Sequence, residues 1–246
     1  MQPEKKQLEI LIMQYFRESY GDFPRGIVLS SESPDFLVRL KSKNVLGIEL
    51  TRLNPGNAKE PDENLLKEIA FRENLIQQTK ELFENTSELK LFVKFLFSEK
   101  NIITREKEIS VAVEVVNSIR KVILHKKGNS FFKTSILESQ LPVGIEEVLI
   151  VGHPKLETSV WERSNNLGIS NDVVDDIRNA IHKKDDKLRL YRKQHLNFYW
   201  LLITTDRLRG VRNFNLSNKI LNHKFVSRFQ HVFLFDLVKS DIFQLV

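Results

Sequence analysis

Two carboxylates near the start of the chain are spaced so that they could share one divalent cation. Asp35 directly follows Pro34, and Glu49 comes fourteen residues later, within an otherwise apolar run. An unpaired charge in such a run is costly, so Glu49 needs a cation or strong hydrogen-bond donors. Carboxylate oxygens of this kind are the ligands that Mg²⁺ or Mn²⁺ prefers. The plainer interpretation is that the two acids are solvated surface residues.

The segment between the two acids predicts a β-hairpin. Residues 36–53 alternate apolar and polar side chains on both sides of a short polar break. With a turn centred on Lys43, Asp35 lies opposite Thr51 and diagonal to Glu49, within reach of longer side chains. Because side chains alternate between the faces of a strand, a shift of one residue would carry Asp35 to the other face.

These residues resemble the PD-(D/E)xK nuclease superfamily, which has the restriction-endonuclease-like fold. Its signature is Pro-Asp, a hairpin, and then an acid, any residue and a lysine. Pro34-Asp35 and Glu49-Leu50-Thr51 match this signature, except that Thr51 stands where the lysine is expected. The resemblance implies Mg²⁺ or Mn²⁺ bound by Asp35, Glu49 and the Leu50 carbonyl. It also implies hydrolysis of phosphodiester bonds, with DNA as the expected substrate.

A later helix contains a lysine that could replace the one missing at Thr51. Residues 171–194 carry apolar side chains at three- and four-residue spacing. At about 100° per residue, Lys184 falls within about 20° of Ile177, in the middle of the apolar stripe, where it needs an anion. Lys187 falls at the edge of the stripe, about 80° from Ile177, and is the second choice. This pattern resembles superfamily members that supply the lysine from a helix; the plainer alternative is that Lys184 extends to solvent.

A third acidic candidate lies on the first predicted helix. Residues 4–19 have an apolar side, and Gly21 and Pro24 end the helix. In the resembled superfamily the first helix often contributes an acid near the metal, which makes Glu9 the candidate in this chain. An exposed helical glutamate without a catalytic role is the plainer interpretation.

The order of predicted elements indicates an α/β fold, which the resemblance refines to a restriction-endonuclease-like central mixed β-sheet flanked by helices. The predicted strands are 27–29, 36–41, 45–53, 89–97, 132–137, 147–151, 198–204 and 231–237, and the predicted helices are 4–19, 62–84, 106–123, 171–194 and 216–228. Residues 161–168 are predicted to be a connection. The chain has 246 residues, of which 41% are hydrophobic, enough for a substantial core. No repeat, low-complexity tract or linker divides it, so we predict a single domain over residues 1–246.

Basic residues are concentrated in the C-terminal third. Residues 171–246 contain 14 Lys or Arg and 8 Asp or Glu, so the whole net charge of +6 lies in this part. Such a surplus suits contact with a phosphate backbone, although mildly basic surfaces are also common in proteins that never bind nucleic acid. Within this part we predict that Arg207, Arg209 and Arg212 bind nucleic acid.

Several other classes of protein are excluded by composition and motifs. The chain contains no cysteine, which rules out disulfides and thiolate zinc sites and fits a cytoplasmic protein. It has no apolar run of about 18 residues, so we expect no membrane association through a spanning helix. Neither a phosphate-binding glycine loop, a His-Glu-x-x-His helix nor a Gly-x-Ser-x-Gly elbow is present.

Three functional hypotheses follow from these features. The first is a metal-dependent nuclease, for which cutting both DNA strands would imply a homodimer. The second is a catalytically inactive nuclease-like module that binds nucleic acid or belongs to an assembly, and it is motivated by Thr51. The third is a small-molecule enzyme on an unrelated α/β fold, which no particular residue supports.

Overall fold

A computed structural model describes residues 3–53, 63–98, 100–126, 128, 130–164, 173–191, 196–205 and 220–246. Within these ranges the helices are α1 (Pro3–Ser19), α2 (Glu63–Glu84), α3 (Glu108–Ile123) and α4 (Val173–Tyr191). The strands are β1 (Gly26–Ser30), β2 (Phe36–Leu40), β3 (Val45–Arg52), β4 (Leu91–Phe97), β5 (Phe132–Leu137), β6 (Ile145–Gly152), β7 (Val160–Arg163), β8 (Phe198–Thr205), β9 (His231–Asp236) and β10 (Ile242–Gln244). The predicted α/β class is confirmed. None of the described helices is both long enough and apolar enough to cross a membrane.

The chain divides into two compact units that are interleaved in sequence. The inserted unit comprises residues 1–14 and 60–164, and the hairpin unit comprises residues 15–59 and 165–246. The described strands form two mixed sheets, one in each unit, and not the one central sheet that the sequence predicted. The prediction of a single domain over residues 1–246 stays a prediction.

The sheet of the hairpin unit has six strands in the order β1-β2-β3-β8-β9-β10. The first three strands pair antiparallel, β3, β8 and β9 pair parallel, and β10 pairs antiparallel with β9. The central parallel strand β8 is a nearly continuous apolar run, Phe198 to Ile203, as expected of a strand that is covered on both faces.

Helices cover the two faces of this sheet. Ile177 of α4 belongs to one apolar cluster with Leu201 of β8. On the other face, the Phe16 ring near the end of α1 lies 5.4 Å from the ring of Phe233. Glu49 pairs in register with Leu201, and paired residues share a face, so Glu49 lies on the face that α4 covers.

The sheet of the inserted unit has four strands in the order β5-β6-β4-β7. Helices α2 and α3 pack together and share an apolar cluster with Val93 and Phe95 of β4 and Val148 and Ile150 of β6. The prediction of a connection over residues 161–168 is wrong at its start, because residues up to Arg163 belong to strand β7, which pairs parallel with β4. Its polar sequence did not predict a strand; the tertiary pairing overrides that local signal.

One carboxyl is buried at the end of β9. Asp236 Oδ1 accepts hydrogen bonds from the backbone N–H groups of Val238 at 2.8 Å and Lys239 at 3.1 Å. Its Oδ2 is also buried, and among the described residues it has no hydrogen-bond partner. Burial raises the pKa of Asp236 above its ordinary value, and the two backbone hydrogen bonds offset only part of this effect.

We expect Asp236→Asn to weaken the dependence of stability on pH. The pKa of Asp236 in the folded state lies above the ordinary value of 3.8. At pH values between these two pKa values, the folded protein therefore binds more protons than the unfolded protein. The free energy of unfolding therefore falls as the pH rises from the ordinary value through the folded-state pKa. Asparagine keeps the acceptor oxygen without the charge. Between about pH 4 and about pH 8, the urea midpoint of the variant should rise relative to that of the wild type as the pH increases. Parallel pH profiles of the two proteins would contradict this expectation.

Candidate active site

The turn of the β2–β3 hairpin is a three-residue loop. Leu40 N–H donates to the Asn44 carbonyl at 2.9 Å, and Lys43 N–H donates to the Leu40 carbonyl at 3.1 Å. Lys43 has φ of 68°, the left-handed conformation that typically closes a loop of this length. The backbone of this turn fixes which residues of the two strands face each other.

The register corrects one prediction and leaves the shared face intact. Phe36 pairs with Ile48, which puts Asp35 level with Glu49. The predicted position of Asp35 opposite Thr51 is therefore wrong by two residues. Because the side-chain period of a strand is two, a shift of two residues keeps both carboxylates on the same face.

Strand β3 continues beyond β2, and the site lies where it does so. The last paired residue of β2 is Phe36, so no β2 residue pairs with Leu50. The Leu50 N–H instead donates to Asp35 Oδ2 at 2.7 Å. The Leu50 carbonyl accepts from Lys184 Nζ at 3.2 Å. Two side chains thus satisfy backbone groups that the hairpin ladder leaves open.

The shortest of the hydrogen bonds described at the site joins α4 to β3. Lys184 Nζ donates to Glu49 Oε1 at 2.6 Å. The side chains are 16% and 5% exposed, so both charges are largely removed from water. Ile181 and Leu188, on either side of Lys184 along α4, are buried in the apolar cluster of the hairpin unit. The predicted placement of Lys184 on the apolar stripe, facing the acids, agrees with this geometry.

The other candidates of the acid-x-lysine motif are placed differently. Lys187 is exposed on α4, and within the described ranges it makes no ion pair. Thr51 is half-buried on the face of Glu49, and its carbonyl accepts a hydrogen bond from Thr204 Oγ1 at 3.4 Å. Of the two lysines considered from the sequence, Lys184 is the one that contacts Glu49.

The described structure does not test the predicted role of four residues. Glu9 lies on α1 in the inserted unit, where its Oε2 is 3.5 Å from Lys6 Nζ. Its role near a metal stays a prediction. Arg207, Arg209 and Arg212 lie outside the described residues.

Gly47 shapes the site in a way that the sequence analysis did not identify. It lies on the face of Glu49, two residues before it. A Cβ at Gly47 would come within 2.7 Å of both Pro34 Cγ and Leu196 Cδ1. The absence of a side chain lets Pro34, and with it Asp35, approach β3 closely. A glycine inside an apolar strand is the sequence signal for such an approach.

The oxygens of the site fit a hard divalent cation. Asp35 and Glu49 supply carboxylates, and Leu50 supplies a backbone carbonyl that contacts the same Lys184 ammonium as Glu49. Within the described ranges no three or more His, Cys, Asp or Glu side chains converge on one point. A cation bound here would therefore complete its shell with water and substrate oxygens. Mg²⁺ is commonly held in this manner, by one or two carboxylates with waters and phosphate oxygens.

Comparisons of this chain with protein families, with curated proteins and with solved structures found no match.

Proposed function

We propose that this protein is a metal-dependent nuclease of the PD-(D/E)xK type that hydrolyses phosphodiester bonds in DNA. Asp35, Glu49 and the Leu50 carbonyl would hold Mg²⁺ or Mn²⁺, and Lys184 would assist the attacking water. The observation that carries the proposal is the 2.6 Å contact between Lys184 Nζ and Glu49 Oε1. It joins residues 135 positions apart in the sequence and puts an ammonium where Thr51 cannot supply one.

The architecture of the hairpin unit supports the proposal. The resemblance implies a mixed sheet flanked by helices, and the six-stranded mixed sheet with α1 and α4 on opposite faces agrees with this expectation. The acids lie on β3 and just before β2, and the lysine lies on the helix above them. The site is thus assembled from three elements, each of which is held by the sheet or packed against it.

An exposed cation further along the hairpin supports a phosphate-containing substrate. Arg39 is exposed on β2 and shares the face of Asp35, because it comes four positions after Asp35 along the strand. At about 3.3 Å per residue the two lie about 13 Å apart along the strand. A polyanionic strand that reaches the acids could therefore also meet a positive charge, and this favours nucleic acid over a small substrate.

Each residue of the site has a distinct part in the proposed reaction. The bound cation would polarise the phosphodiester and lower the pKa of a coordinated water. The Leu50 N–H orients the Asp35 carboxylate by donating to Oδ2. Lys184 would donate hydrogen bonds to the attacking water or to the negative charge that develops on the phosphate oxygens. Thr51 could add only a neutral hydrogen bond.

Cleavage assays test this proposal directly. We expect the purified full-length protein to convert supercoiled plasmid into nicked or linear DNA when Mg²⁺ or Mn²⁺ is present. EDTA should abolish cutting, and excess Mg²⁺ should restore it, because the carboxylates need a cation to bind and activate the phosphate. Single-stranded DNA and RNA assayed in parallel determine the preferred substrate.

The opposite result identifies the alternative function. Absence of cleavage with either metal, together with DNA binding that weakens as salt increases, would favour a nuclease-like module that no longer cuts. Lys184→Gln should abolish cutting, and Lys183→Gln is its matched control, because it removes an exposed lysine of the same helix and should cut like the wild type.

A further inference from the structure

The ammonium of Lys184 contacts two of the three oxygen sources that the proposed function assigns to the metal. Its Nζ lies 2.6 Å from Glu49 Oε1 and 3.2 Å from the Leu50 carbonyl oxygen. Asp35 Oδ2 is at the same time bonded to the adjacent Leu50 N–H, at 2.7 Å. Glu49 Oε1 and the Leu50 carbonyl oxygen thus already accept hydrogen bonds from a cation of the protein itself.

A divalent cation on the same oxygens would conflict with this arrangement. Mg²⁺ binds oxygen ligands at about 2.0–2.1 Å, so on Glu49 Oε1 and the Leu50 carbonyl it would lie against the Lys184 ammonium. Two positive charges at that separation repel strongly in a site largely closed to water. Glu49 Oε1 and the Leu50 carbonyl therefore cannot hold both cations in the present geometry.

The Lys184 side chain is able to move its ammonium away from these oxygens. Its charge is carried on a flexible four-carbon stem with three rotatable donors, so the ammonium can move while α4 stays in place. The side chain is 16% exposed, whereas Glu49 at 5% is nearly closed off. The ammonium has some room on the solvent side, and the carboxylate has little.

We infer that the Lys184 ammonium and the divalent metal are alternative occupants of Glu49 Oε1 and the Leu50 carbonyl. Metal entry displaces the ammonium from these oxygens and moves it toward the attacking water and the phosphate, to which it would donate hydrogen bonds. Lys184 thereby lowers the affinity for metal, and metal loading positions the lysine. This inference rests on the proposed function.

Metal binding by a charge-neutral variant tests the exchange without relying on cleavage. Lys184→Gln keeps a group that can donate to Glu49 but removes the competing charge, and Lys184→Met removes both. We expect both variants to bind Mn²⁺ at least about tenfold more tightly than the wild type in isothermal titration calorimetry, although neither cuts DNA. Lys183→Gln carries the same change in net charge from an exposed position, and it should bind Mn²⁺ like the wild type.

A second measurement uses the unmodified side chain. In wild-type protein labelled with ¹⁵N, the Lys184 Nζ resonance, assigned by its loss in Lys184→Gln, should shift on titration with Mg²⁺. The lysine signal of Lys183 should stay in place. This readout follows the wild-type ammonium itself and does not depend on how tightly the variants bind metal.

The outcomes separate the inference from the proposed function. Equal or weaker Mn²⁺ binding by both folded Lys184 variants, with a wild type that cuts DNA, would overturn the exchange and leave the nuclease standing. An Nζ resonance unmoved by bound Mg²⁺ would do the same. If neither the wild type nor the variants bind metal or cut DNA, the proposed function and the exchange fail together.

Discussion

Glu49→Gln is expected to lower metal-dependent DNA cleavage by about a hundredfold to a thousandfold. The substitution preserves shape and leaves an acceptor for Lys184, but it removes the buried negative charge that a divalent cation needs. In the metal-free protein the same carboxylate accepts from Lys184 Nζ at 2.6 Å, so the substitution also weakens this ion pair. Single-turnover cleavage rates at saturating Mg²⁺, compared with those of the wild type, measure the effect.

The control for this variant is an exposed glutamate of the same unit. Glu18 lies near the end of α1 and is exposed, so Glu18→Gln should cut at the wild-type rate. Circular dichroism melts of both variants establish that the fold survives. Full cleavage activity in folded Glu49→Gln would reject the assignment of the active site.

The second large effect concerns stability and lies in the inserted unit. We expect Lys94→Ala to lower the free energy of unfolding by about 3–5 kcal/mol. Lys94 is 1% exposed on β4, and its Nζ donates to Glu162 Oε1 of β7 at 2.6 Å. Removing the ammonium leaves the Glu162 carboxylate, whose side chain is 19% exposed, without this partner, and removing the stem leaves a cavity.

Urea unfolding of matched variants measures this effect. Lys121→Ala removes an exposed lysine from α3 and should change stability by less than about 0.5 kcal/mol. The double variant Lys94→Ala/Glu162→Ala should lose less than the sum of the single variants, because the pair is broken only once. Strict additivity would show that the ion pair contributes no coupling, and a Lys94→Ala midpoint equal to that of Lys121→Ala would contradict the main expectation.

Local patterns predicted most elements of the chain. Alternation identified the β2–β3 hairpin, apolar periodicity identified all four described helices, and the nearly continuous apolar run at 198–204 identified a strand. The pairing of Lys184 with Glu49 was expected because each charge stood alone in an apolar pattern. A charge that must be buried needs a partner, and this need can be seen in the sequence of both segments.

Other features could not be read from the local sequence pattern. The hairpin register differed from the prediction by two residues because the turn closes through Lys43 in the left-handed conformation, which its residue type does not signal. Strand β7 exists because β4 offers an edge to pair with, although Trp161-Glu162-Arg163 has little strand character. The division into two sheets likewise follows from which strands meet in space.

The amino-acid sequence alone determined which side chains are candidates for the site and which faces of their elements they occupy, because residue type and periodicity are local properties. Only the tertiary structure decided that Lys184, and not Lys187, reaches Glu49. It also decided that the Leu50 N–H and carbonyl are left open for Asp35 and Lys184. The reason is physical: those contacts depend on the register that the turn imposes on β2 and β3 and on how α4 packs against the sheet, and neither follows from residue type or periodicity.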